Sequence, residues 1–227
     1  MPFARGFDVI RNVRAAQPAG PMSAVRKRLR AEALDLAQQE SLVTAAYSYR
    51  IVPLRSPAGH SLCLEGEIVE APWLVPSTGE LTAVACGVAT IGAALEERVR
   101  ELFAVRRASL AVALDDIGNE LLFAAARRIQ DRMLADSKKR GLMMAGELRS
   151  GDPGLALETQ AAVLRLAEAS AIGVTLSSGF LMRPLKSTSM LLGVGLRLPE
   201  VSWSRCDYCP SLERCQVAQV SSRRATS

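Results

Sequence analysis

Aromatic residues are scarce in this sequence, only 4% of its 227 residues. The core must therefore be built from Ala, Leu, Val and Ile, and a hydrophobic content of 49% supplies enough for one large domain, or a domain with a tail. Histidine is nearly absent. The single His60 leaves little for histidine-based acid–base chemistry or a His-rich metal centre, and within GHSLC it reads as a turn entering a strand. No window reaches the roughly 18 apolar residues that a membrane span needs. The opening stretch, MPFARGFDVIRNVRAAQPAG, is interrupted by charge and has no continuous apolar core, so it does not read as a secretory signal. The expected compartment is the cytoplasm, with no membrane partner.

Catalytic signatures are missing too. There is no G-x-S-x-G, P-loop or H-E-x-x-H, and GVGLRL lacks the third glycine and the following helix of a dinucleotide fingerprint. The formal charge of +5 is modest and scattered, with local clusters at Arg26-Lys27-Arg28 with Arg30 and at Arg223-Arg224. Without an interleaved aromatic–basic stripe, no nucleic-acid partner is expected.

What is present is a clear alternation of element types. Residues 1–20 carry little periodic apolar signal and read as an N-terminal arm or a small element. Pro21 suits a first helical turn, and Val25, Leu29, Leu36 and Val43, with Ala33 between them, fall on one helical face. AYSYRIVPL, SLCLEGEIVEA and LTAVACGVATIG read as strands. Leu95, Val99, Leu102 and Phe103 mark a helical face. Leu110, Leu114, Ile117, Leu121, Ile129 and Met133 form the stripe of a long helix, capped at its start by Ser109 and ended by Lys138, Lys139, Arg140 and Gly141. Gly118 inside that helix is consistent with close packing or with simple tolerance. GELRSGDPG reads as a loop and LALETQAAVLRLAEAS as a helix. IGVTLSSGFLMRP and STSMLLGVGLRL read as two strands joined around Pro184-Leu185-Lys186. The order predicts an α+β domain over 21–199 with a mainly antiparallel sheet, followed by a cysteine-containing tail over 200–227.

Several residues are chemical candidates. Three of the five cysteines stand together as C-x2-C-x5-C in CDYCPSLERC, namely Cys206, Cys209 and Cys215. In a reducing compartment, clustered thiols read first as ligands, with a redox-active thiol set or unligated surface thiols as the alternatives. Three thiolates are one short of a closed zinc site or a fully ligated iron–sulfur cluster. The fourth ligand is open: Cys63, Cys86, His60, water or a partner's atom. Cys63 and Cys86 lie in apolar runs and read as core thiols. Asp115-Asp116 and Glu96-Glu97 are adjacent helix positions that do not face each other, and read as solvated or dipole-pairing groups. Arg149, in a glycine-bent loop before a helix, is suited to hold a carboxylate, although an ordinary interhelical loop fits as well. Lys186, Ser187, Thr188 and Ser189 open a strand and would suit a polar pocket or a plain turn.

Taken in order, YRIVPL, LEGEIVEAPWLVPSTGEL, AVACGVATIGAALEERV, ALDDIGNELLFAAARRI, RSGDPGLALETQAAVLRL, IGVTLSSGFLMRPLKSTSMLLGVG and CDYCPSLERC resemble the stand-alone proteins similar to the activation domain of cobalamin-dependent methionine synthase. The resemblance covers roughly residues 45–215. It implies a curved antiparallel sheet flanked by long helices, an S-adenosylmethionine-binding loop, and action on a corrinoid protein in methyl transfer or reductive activation, with cobalamin carried by the partner. By the same resemblance, Arg149, Pro153 and Gly154 stand in the place of the Arg-x-x-x-Gly-Tyr-Pro stretch that helps hold S-adenosylmethionine. Ser187 and Ser189 are similar to a Ser-Val-Ser-Gly strand start. The tyrosine is absent here, and Met190 stands at the glycine position. The terminal cysteines are similar to the tails of the stand-alone proteins and imply an iron–sulfur cluster or zinc, suited respectively to electron delivery or to pinning the tail.

Overall fold

The computed structural model describes residues 3–16, 22–55, 57–58 and 61–199. Its centre is a five-stranded sheet in the order β1-β2-β6-β10-β7. These strands are β1 (Phe3–Arg5), β2 (Ala46–Pro53), β6 (Glu80–Thr90), β7 (Met143–Leu148) and β10 (Ser187–Leu196), and every pairing among them is antiparallel. β3 (Pro57–Ala58), β4 (Ser61–Leu64) and β5 (Glu67–Glu70) form a small second sheet, and β8 (Thr175–Leu176) pairs with β9 (Met182–Arg183) in a short hairpin. The helices are α1 (Ile10–Ala15), α2 (Ala24–Gln39), α3 (Ala94–Ala104), α4 (Ala108–Lys139) and α5 (Gln160–Leu166). The expected α+β architecture, a mainly antiparallel sheet flanked by helices, is the one observed.

The main sheet separates two cores, as a strand's alternating side chains require. On one face, α4 lays the whole expected stripe from Leu110 to Met133 against the sheet, with α1, α2 and α3 around it. The strands meet this large-residue helix with small residues. Ala85, Gly87 and Ala89 of β6 point at it, and a Cβ on Gly87 would stand 2.8 Å from Ile129 Cδ1. On the other face, Leu62, Leu64 and Val69 of the small sheet and Val163 and Leu166 of α5 cover Val84, Cys86, Val88 and Leu191. With few rings to fill space, branched aliphatics and alanines do so by close fitting.

Several local expectations are corrected. On α2 the buried residues are Ala33, Leu34 and Ala37, whereas Val25 is 58% exposed. The helix packs on α4 through its alanines, so contact with a neighbour selects a face that spacing alone had drawn elsewhere. Leu95, Val99 and Leu102 are buried on α3, but Phe103 is about half exposed. Ser109 does not cap α4. The helix starts at Ala108, because Arg106 turns with φ of +60° and the Arg107 carbonyl accepts from both Leu110 and Ala111. Ser23, by contrast, caps α2, its side chain accepting from Arg26 N at 3.3 Å.

The stretch GELRSGDPG contributes its first residues to β7 rather than to a loop. β7 is an edge strand bonded only to β10, Gly146 has φ of +68°, and the register slips between Leu191 and Gly193, so the alternation that announces a strand is broken. Most of IGVTLSSGFLMRP forms turns rather than a long strand. Ser177 Oγ accepts from Leu181 N, and Phe180 adopts φ of +59°, which folds the segment into the β8–β9 hairpin.

Candidate functional site

Three strands deliver their ends to one place. β6 finishes at Thr90 opposite Ser187, where β10 begins, and β7 finishes at Leu148 opposite Leu191. Arg149 follows β7 directly. Its Nε donates to Glu147 Oε1 at 2.9 Å, its Nη2 lies 2.8 Å from the same oxygen, and its Nη1 donates to Thr188 Oγ1 at 3.0 Å. Gln130 of α4 donates from Nε2 to the other Glu147 oxygen at 2.7 Å. The Arg149 and Glu147 side chains are only 17% and 25% exposed. A guanidinium has five N–H donors. Among the described residues, these three contacts leave two.

The loop after Arg149 is tightly tied. Asp152 Oδ2 accepts from Arg149 N at 2.9 Å, Asp152 N donates to the Arg149 carbonyl at 2.8 Å, and Gly151 N donates to the Leu155 carbonyl at 2.9 Å. Gly154 has φ of +82°, and a Cβ there would stand 3.0 Å from the Trp73 indole. The glycine thus admits both the backbone turn and the ring beside it. Pro153 lies between Asp152 and Gly154 in this same turn. Ser150 Oγ is buried and has no hydrogen-bond partner among the described residues.

Ser187 and Ser189 belong to the opposite face of β10. Ser187 Oγ lies 2.9 Å from Thr90 Oγ1 and donates to the Pro184 carbonyl at 2.7 Å. Ser189 Oγ lies 3.2 Å from Gln160 Oε1, and Gln160 Nε2 donates to the Phe180 carbonyl at 2.7 Å. Both serines are buried. Alternation along the strand is the cause: Thr188 and Met190 face α4, while Ser189 and Leu191 face α5. The Arg149 guanidinium, beside Thr188, therefore lies on the face opposite Ser187 and Ser189, while Gly154 packs on Trp73, which joins the core on the α5 face. Arg149, Pro153 and Gly154 share one loop; the serines hold the strand start to its neighbours.

Two carboxylates that read from the sequence as solvated or dipole-pairing groups instead support this region. Glu96 Oε2 accepts from Leu185 N at 2.8 Å, and Asp115 Oδ1 pairs with Lys186 Nζ at 2.8 Å, with Asn119 Oδ1 at 2.7 Å from the same ammonium. These carboxylates clamp the turn that feeds β10. Gly118 makes room for it, since a Cβ there would stand 2.9 Å from Leu95 Cδ2 and 3.2 Å from Lys186 Cε. Pairings across 71 residues of chain leave no local signature. Glu147 and Gln130 were unmarked in the sequence, because only the fold brings β7 beside α4.

The cysteine cluster Cys206, Cys209 and Cys215 and His60 lie outside the described residues. Among the described residues, no group of three or more His, Cys, Asp or Glu is placed to hold a metal ion. Cys86 is fully buried, and burial pushes its thiol up to about 12. It behaves as a core residue, as expected. Among the described residues, no helix is long and apolar enough to cross a membrane. An open groove of about 490 Å³ lies between α2 and the start of α4, lined by Arg28, Glu32, Asp35, Gln39 and Arg107. Arg107 already pairs with Glu32 there, and at 1.5 Å per residue the groove lies roughly 35 Å along α4 from Gln130.

No protein-family model matches the sequence, and no curated protein matches it. The fold does match. A solved structure of the MetH reactivation domain bound to AdoHcy superposes with a TM-score of 0.64, covering 99% of this chain and 86% of that one, at 14% identity. This chain has the fold of the MetH reactivation domain. The match runs through all the elements described above, from β1 to β10, and the expectation drawn from segment order is met at the level of architecture.

Proposed function

We propose that this chain is an accessory or reactivation protein of a cobalamin-dependent methyltransferase system, acting on a corrinoid protein during methyl transfer or reductive activation. The observation that carries this reading is the correspondence of fold with the MetH reactivation domain over 99% of the chain. Cobalamin would arrive with the partner, since this chain has a single histidine and no separate cobalamin-ligating histidine motif. The tail thiols of Cys206, Cys209 and Cys215 would hold zinc or an iron–sulfur centre, the latter suited to passing electrons towards cobalt.

The S-adenosyl ligand is assigned to the Arg149 loop. Arg149, Glu147 and Asp152 place one guanidinium among two carboxylates, a net-negative cluster that is complementary to the sulfonium cation. Ser150 Oγ offers a buried hydroxyl that has no partner among the described residues. Ser187 and Ser189 do not fit as direct ligand contacts, because both are buried in bonds to other residues on the far face. When bound, S-adenosylmethionine supplies a methyl cation equivalent. This chain's part is to orient it and to present it to the partner.

A second reading is a non-catalytic module that caps a corrinoid protein and uses its cysteines structurally. It is favoured by the internal bonding of Arg149, which Glu147 and Thr188 already satisfy in large part. The test is titration with a cobalamin-carrying protein. Co-elution with a change in the cobalt absorption spectrum is expected, and neither would be seen if the reading were wrong. A brown, iron-containing preparation favours redox work; colourless protein with one zinc favours the capping module.

A further inference from the structure

Glu147 holds the Arg149 guanidinium in the way a ligand carboxylate would. Its Oε1 accepts from Nε at 2.9 Å and stands 2.8 Å from Nη2. Its Oε2 is not left over, because Gln130 Nε2 donates to it at 2.7 Å from α4. A carboxylate gripped from both sides, in a mostly buried position, is a fixed part of the site rather than a swinging surface group. The ion pair it makes is neutral. An incoming carboxylate would meet a cation already compensated at contact distance, with Asp152 as a second negative neighbour on the Arg149 backbone N–H.

We infer that Glu147 is a specificity-determining residue: it occupies the place on Arg149 that a ligand's carboxylate would take, and so biases the site against the amino-acid end of an S-adenosyl compound and towards nucleoside thioethers that lack it. The inference rests on the assignment of the S-adenosyl ligand to the Arg149 loop. A charge-assisted hydrogen bond regained on removing Glu147 corresponds to a gain of about 10-fold or more in affinity.

The experiment is calorimetric titration of the full chain with AdoHcy and with 5′-methylthioadenosine, which shares the nucleoside and thioether but has no carboxylate. The wild type is expected to bind AdoHcy no more tightly than 5′-methylthioadenosine. Glu147→Gln is expected to tighten AdoHcy by about 10-fold while 5′-methylthioadenosine stays within about twofold, and Arg149→Ala added to it should abolish the gain. Equal changes for both compounds, or no change for AdoHcy, overturn the inference while leaving the S-adenosyl site in place. If neither compound binds to any variant, the S-adenosyl assignment falls together with the inference, and the corrinoid reading stands or falls on co-elution alone. If Glu147→Gln and Glu147→Ala both fail to fold, the carboxylate is purely structural and the inference is overturned.

Discussion

Tyr49→Phe tests the reading of the interface between β2 and α4. Tyr49 is 2% exposed and its hydroxyl donates to Asp136 Oδ2 at 2.7 Å. Burial first, then this bond, pushes the phenol well above its ordinary range; the same bond, ahead of Lys139, holds the Asp136 carboxyl below its ordinary range. Phenylalanine keeps the ring and its contact with Tyr47 at 6.1 Å between centroids. What is lost is one hydrogen bond to a charged group, about 1.5–3 kcal/mol. The Asp136 side chain is 30% exposed and regains water in the mutant, so the lower end applies, about 1.5 kcal/mol or a fall of roughly 3–6 °C in Tm for a domain of this size. The sign with pH follows from both partners. The depressed Asp136 contributes stability that is present above the unfolded carboxyl value of about 4 and lost as pH falls through its folded value. The raised Tyr49 contributes stability that is present below the unfolded phenol value of about 10 and lost as pH rises above it. The gap between wild type and mutant should therefore be widest from about pH 5 to 9 and narrow on either side. Urea unfolding of both proteins at pH 3, 7 and 10.5 measures it. Equal stability at pH 7, or the same gap at pH 3 as at pH 7, would refute the reasoning.

Three further outcomes are expected. Leu121→Asp should abolish cooperative unfolding, because Leu121 is fully buried under the sheet and an unpaired buried charge costs several kcal/mol against a total of roughly 5–15 kcal/mol; a soluble mutant with a sharp thermal transition would reject this. Gly118→Val should lower stability by about 1–3 kcal/mol through overpacking against Leu95 and Lys186, read by the urea midpoint, and an unchanged midpoint would show that the turn before β10 shifts freely. Cys206→Ser, Cys209→Ser and Cys215→Ser should each reduce the metal content of anaerobically purified protein, whereas metal-free wild type, or content unmoved by all three, would reject the shared centre.

The α4 stripe from Leu110 to Met133, the buried run of β6 and the general alternation of strands and helices were legible from residue spacing, because each records burial of one face of a single element. So was the inert character of Cys86, which sits in an apolar run. Segment order, matched to a known domain, carried the fold class. What spacing did not contain was every relation between elements. It placed Val25 on the buried face of α2, although α2 meets α4 through Ala33, Leu34 and Ala37. The resemblance grouped Ser187 and Ser189 with Arg149, although strand alternation sends the serines to the face opposite the one where the Arg149 guanidinium bonds Thr188. Spacing passed over Glu147 and Gln130 and read Glu96 and Asp115 as solvated or dipole-pairing groups, although the roles of all four arise only when distant segments meet. A residue's burial is announced by the pattern of its own helix or strand. The partner of a charged or hydroxyl side chain is chosen by tertiary packing, since a hydrogen bond needs an atom within about 3 Å and the chain carries no local mark of what folding will bring there.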